Sequence, residues 1–131
     1  MNVATQNAAG TTVPFDAARL DRLMEEAGID VLFATSKHNT QYLLGGYRFI
    51  FFSAMDAIGH SRYLPVVVYD KGSPQHAAYV GNRMEGGEHQ NHPFWTPALY
   101  LSCWGTLDAA AEASAHLRKI GASAKRIGIE P

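Results

Sequence analysis

Apolar residues at Leu20, Leu23, Met24 and Ala27 recur at i, i+3, i+4 and i+7, with Arg19, Asp21, Arg22, Glu25 and Glu26 filling the remaining positions. That period predicts an amphipathic helix lying on a core. Pro14 and Asp16 mark its start, because an Asp side chain accepts from the free amides of a first turn, and Gly28 marks a left-handed stop, which sets the helix at residues 16–27. Residues 30–35, DVLFAT, follow as an apolar run too short for a helix and rich in strand formers, which predicts a central strand covered on both faces. Ser36 then offers a cap to a short helix whose apolar side is Tyr42, Leu43 and Leu44, broken by Gly45 and Gly46. Lys37, His38 and Asn39 therefore sit at the C-terminal end of a strand and the N-terminus of a helix, where free amides often line a site in open α/β sheets.

Further along, residues 48–64, RFIFFSAMDAIGHSRYL, are densely aromatic and fit neither a period of 2 nor one of 3.6. Residues 65–70 and 76–81 read as two strands joined by the polar turn KGSPQ, hence an antiparallel hairpin. Residues 82–95 read as a polar, glycine-containing loop and residues 98–103, ALYLSC, as another strand. Thr106 is expected to cap a long helix that turns Leu107, Ala110, Ala111, Leu117 and Ile120 inward and ends at Gly121. Ile127 to Ile129 opens a last strand, and the stop at Pro131 reads as a cut boundary. The order of elements predicts an α/β fold, a mixed β-sheet layered with helices.

At 131 residues the chain is one domain by size, long enough to bury about two thirds of its unfolded surface. A composition of 47% hydrophobic and 18% charged residues is that of an ordinary globular protein. A net charge of -1 leaves no nucleic-acid footprint and no polybasic membrane patch. Cys103 stands alone, so no internal disulfide forms and a reducing, cytoplasmic setting is the expectation. Residues 1–13 have neither a basic n-region nor an apolar h-segment and are expected to be a flexible leader, and no run approaches the roughly 18 apolar residues of a membrane span.

The stretch RLDRLMEEAGIDVLFATSKHNTQYLLGGY at residues 19–47, the hairpin around Asp70 to Gly72, and RIGIE at residues 126–130 resemble the N-terminal domain of the creatinase/prolidase family, which includes Xaa-Pro dipeptidases and aminopeptidases P. The telling succession is a helix, an AGID strand and S-x-x-N-x-x-Y-L-x-G. The resemblance implies a ribonuclease-H-like layer over residues 14–131. It also implies a separate pita-bread catalytic domain, outside this chain, whose two Asp, one His and two Glu hold two divalent metal ions. It implies no catalytic and no metal residue here, with the chain's own C-terminal catalytic domain and a homodimer mate as partners. The function so implied is that of an accessory domain of a metal-dependent, proline-specific dipeptidase, contributing to dimerisation and the substrate mouth. A creatinase-like small-molecule hydrolase or lyase, and a non-catalytic protein-binding module, are the alternatives.

Candidate contacts follow. His38 and Asn39 at the helix start suit a substrate carboxylate, with capping as the plain alternative for Asn39. Tyr42 matches the family block beside them. Arg48, His60 and Arg62 with Tyr47, Phe49, Phe51, Phe52 and Tyr63 suit a lip over a partner's active site or a desolvated interface, against the alternative of filling the domain's own core. Glu85, Glu88, His89 and His92 have metal-ligand chemistry but weak spacing, and a solvated polar loop is the preferred reading. Cys103 has no local base and reads as a buried structural thiol.

Overall fold

The computed structural model describes residues 5–6, 12–47, 49, 64–91 and 93–130. The first helix, α1 (Ala17–Ala27), starts where Asp16 Oδ1 accepts from the Arg19 amide at 3.0 Å and stops at Gly28, whose φ of 72° is left-handed. Its buried face is Ala17 and Met24, flanked by half-buried Leu20, whereas Leu23 is 47% exposed and Ala27 is exposed. The apolar stripe is thus rotated from the expected one. At about 100° per residue, positions 17, 20 and 24 share one face, and 23 and 27 fall on its flank.

Five strands form the main sheet: β3 (Val31–Ala34), β4 (Val66–Asp70), β5 (Ala78–Asn82), β6 (Ala98–Cys103) and β7 (Ile127–Ile129), in the order β6-β5-β4-β3-β7. The hairpin pair β4 and β5 is antiparallel, as is β3 with β4, while β5 with β6 and β3 with β7 are parallel. The sheet is mixed, as the sequence predicts. Strand alternation splits the core in two. Val67, Tyr69 and Tyr79 join Met24, Phe15 and Leu43 on the side of α1 and α2 (Lys37–Leu43). Val66, Val68, Ala78 and Val80 join Ala109 and Ala113 of the long helix α4 (Thr106–Lys119) on the other. Within β3, Leu32 and Ala34 face the first layer and Val31 and Phe33 the second, so this strand is covered on both faces although it lies one place from the sheet edge. Each fully buried Val or Phe contributes about 1.5–3 kcal/mol.

Three local expectations are corrected. Residues 82–95 are not a plain loop: Asn82 Oδ1 accepts from the Met84 amide at 2.9 Å and Glu85 Oε1 from the Asn82 amide at 2.7 Å. This capping box launches a 3-10 turn at Arg83–Glu85 and the helix α3 (Gly86–Asn91). In α4 the cap position is Gly105, with Thr106 the first helical residue, and the buried side is Ala109, Ala113 and His116 with half-buried Leu117 and Ile120. Leu107 is 85% exposed, and Ala110 and Ala111 are exposed too. His116 takes a core position because both ring nitrogens are satisfied, Nδ1 by the Tyr100 hydroxyl at 2.9 Å and Nε2 by the His76 carbonyl at 2.7 Å. Finally, Thr12–Val13 (β2) pairs antiparallel with Thr5–Gln6 (β1), and Val13 is fully buried, so the packed unit takes in a residue assigned to the leader.

Among the described residues no helix is long and apolar enough to cross a membrane.

Candidate functional site

Two regions flank α2. The first is its N-terminal end. Ser36 caps the helix, its Oγ accepting from the Asn39 amide at 3.3 Å. The same corner receives the carboxylate of Glu130, which follows directly on β7. Glu130 accepts from the Thr35 amide at 2.6 Å, from Thr35 Oγ1 at 3.3 Å and from Ser36 Oγ at 2.9 Å. The Ser36 amide and Asn39 Nδ2 donate to it as well. Burial works to raise the Glu130 carboxyl, but these donors, Asn39 foremost, outweigh it and hold it below the ordinary range. β3 and β7 run parallel, so their C-terminal ends lie side by side, and this is why residues 35 and 130 meet. The position where the sequence suggests a substrate carboxylate is occupied by the chain's own.

Asn39 is therefore tied into this internal cluster, while His38 is exposed. Tyr42 is 56% exposed and packs its ring 6.1 Å from Phe15. It borders a shallow groove of about 330 Å³ with Arg19, Leu20 and Leu23.

The second region follows the helix. Gly45 and Gly46 turn the chain with φ of 74° and 98°, and a Cβ on Gly45 would lie 2.9 Å from the Pro14 ring, so the turn requires glycine there. The turn delivers Tyr47, whose hydroxyl donates to Glu85 Oε2 at 2.8 Å, and the Tyr79 hydroxyl donates to the same oxygen at 2.6 Å. Glu85 is fully buried, which corrects the expectation of a solvated loop carboxylate. Burial, and then the bond to Glu85, push the Tyr47 phenol far above its usual range. Phe94 meets Tyr47 edge to face at 4.8 Å and stacks on His89 at 5.6 Å, while the Phe94 amide donates to His89 Nδ1 at 3.2 Å. Trp95 Nε1 donates to the Leu43 carbonyl at 2.7 Å and so ties this wall to α2. A groove of about 510 Å³ opens between Gly45, Gly46, Tyr47, Glu88, Pro93 and Phe94.

Of the proposed lip, Tyr47 reaches this groove and Phe49 is buried in the interior at 5% exposure. Arg48, Phe51, Phe52, His60, Arg62 and Tyr63 lie outside the described residues, as does His92. Among the described residues no group of three or more His, Cys, Asp or Glu is placed to hold a metal ion, so those residues do not fit a two-metal centre. Cys103 is buried, and burial raises its thiol, in keeping with a structural role. Elsewhere, buried Asp70 is paired with His76 at 2.8 Å and Lys125 at 3.2 Å, and Asp30 is held at about 2 by Arg126.

A sequence model of the Creatinase/Prolidase N-terminal domain matches residues 17–131. The chain belongs to this family. The mixed sheet with helices on both faces agrees with the fold of the creatinase/prolidase N-terminal domain. No curated protein matches the chain. In this creatinase/prolidase domain the sequence pointed to Glu85 only as a weak metal-ligand candidate, and it did not single out Glu130 as a site former. Glu85 was signalled by its spacing of three from Asn82, a capping pattern, and Glu130 only by its place in the RIGIE motif.

Proposed function

We propose that this chain is the accessory N-terminal domain of a metal-dependent peptidase resembling Xaa-Pro dipeptidase, contributing to dimerisation and to the substrate mouth. The carrying observation is the family match across residues 17–131. In this reading the bond-breaking residues and the two divalent metal ions belong to another domain, and this one supplies walls. The aromatic groove beside Tyr47 and Phe94 supports a role at a mouth, since rings exclude water from a polar reaction. Exposed Met84, Trp104 and Leu107, and separately Leu23, Tyr42 and Ile129, support docking against another domain or copy.

The test is to read the coding sequence beyond residue 131 and assay the full-length product on Xaa-Pro dipeptides and on creatine. The reading expects an Asp, Asp, His, Glu, Glu ligand set and metal-dependent dipeptide cleavage. Creatine hydrolysis without dipeptide cleavage favours the small-molecule hydrolase, and a downstream domain lacking the ligand set favours a binding module.

A further inference from the structure

The long helix α4 lies on the sheet through Ala109, Ala113 and His116. At about 100° per residue, the middle of its opposite face is Ala111 with Ala115 and Arg118. Leu107 lies to one side of that line, and Asp108 and Lys119 lie to the other. All six are exposed. Two marks set this face apart from a merely solvated one. Leu107 leaves a large aliphatic side chain almost wholly in water, and Trp104, held beneath the Arg83 guanidinium at 5.4 Å, adds an exposed ring at the same end of the helix. The charges are also segregated, with Asp108 in the first turn and Arg118 and Lys119 in the last. None of these three enters a salt bridge among the described residues. Asp108 accepts from the Trp104 amide with one oxygen, at 3.1 Å.

A face ordered in this way is complementary to itself when turned end for end. Laid antiparallel on a second α4 about a two-fold axis, Asp108 of each copy meets Lys119 of the other, so the same ion pair forms twice. Each Leu107 then lies along the aliphatic stem of the other copy's Arg118. Ala111 and Ala115 add no bulk between the helices, and the two macrodipoles oppose. A parallel pairing sets acid level with acid and base level with base, and a partner of uniform charge suits only half of the face. We propose that α4 pairs antiparallel with α4 of a second copy of this chain, forming a two-fold homodimer. The proposal assigns a surface to the dimerisation in the reading above and rests on that part of it alone. A helix of 14 residues is about 21 Å long, so the contact is small. Its dissociation constant is expected on the order of 10–100 µM, and at about 1 µM the chain is monomeric.

The test is sedimentation equilibrium of the 131-residue chain at concentrations bracketing that constant, with circular dichroism confirming that each variant is folded. The expected result is a reversible monomer–dimer equilibrium that weakens severalfold at high salt. Leu107→Arg and Lys119→Glu, both at exposed positions, should each weaken it about tenfold or more. Asp108→Lys should do the same, and mixing it with Lys119→Glu should restore association as a heterodimer, because both cross pairs then re-form. If Asp108→Lys does not fold, the other two variants decide. A chain that stays monomeric at the highest concentration, a dimer that Leu107→Arg and Lys119→Glu leave intact, or a folded mixture that fails to associate would overturn the proposal. A dimer insensitive to these variants keeps dimerisation but moves it to another surface. Absence of the ligand set downstream refutes the peptidase reading without altering any of these results.

Discussion

At the start of α2, five donors from Thr35, Ser36 and Asn39 converge on a carboxylate that the chain itself supplies, Glu130. Past the end of the same short helix, Tyr47, Phe94 and Glu88 line a groove of about 510 Å³ among the described residues. The first region is where general α/β logic places a ligand, at the C-terminal ends of strands beside a helix N-terminus. Here that logic is satisfied internally, and the result is a clasp between the ends of β3 and β7. The second region lies away from the strand ends, and its shape comes from a glycine turn and from a buried glutamate that fixes a tyrosine. A helix start rich in donors is thus not by itself a binding site, because what matters is whether those donors already have an acceptor.

The sharpest way to break the comparison is to remove the support of the groove. Glu85→Ala leaves the Tyr47 and Tyr79 hydroxyls and the Asn82 amide without their acceptor in a buried site. The expected loss is about 3–4 kcal/mol in urea unfolding, with the groove amides shifted. A loss below about 1 kcal/mol would mean that Glu85 does not hold the wall.

Removing the clasp has the next largest effect. Glu130→Ala should cost about 2 kcal/mol, with the Thr35 and Ser36 amides gaining hydrogen-exchange rate and the groove amides little changed. Because the folded Glu130 carboxyl lies below its ordinary 4.5, the unfolded chain binds more protons as pH falls. The clasp's contribution is therefore fully present above 4.5 and declines as pH drops through the lower folded value. The stability difference between the wild type and Glu130→Ala, followed from pH 7 downward, should be flat at first and then shrink. A difference that grows on acidification has the wrong sign.

The smallest effect belongs to the outward face of α4. Leu107→Ser should change stability by less than about 0.5 kcal/mol, whereas Ala113→Leu, against the sheet, should cost about 1–3 kcal/mol by overpacking. Equal effects would return the helix to the orientation read from its leucines.

That contrast shows what a sequence reveals. The caps at Asp16, Gly28 and Ser36 were legible because each rests on contacts within a few residues, and the strand at Val31–Ala34 and the hairpin of β4 and β5 because their short apolar runs are bounded by turn residues, although their pairing partners lie farther away. The rotation of α4 was not, because burial of His116 depends on Tyr100 and on the His76 carbonyl, 16 and 40 residues away in sequence. The capping box at Asn82 and Glu85 was legible and was masked by the polar, glycine-rich composition of its surroundings. Glu130 stood out in the sequence only as part of the RIGIE motif, and its role depends on the parallel register that sets Phe33 against Ile129. Long-range pairing of this kind leaves no periodic trace.

The most direct test of the closed end is a carboxyl carbon NMR titration of Glu130, read alongside the Ser36 amide. The structure predicts a midpoint below 4.5, with the Ser36 amide following the same curve as its acceptor is protonated. A midpoint at or above 4.5, or a Ser36 amide that ignores it, would contradict the clasp.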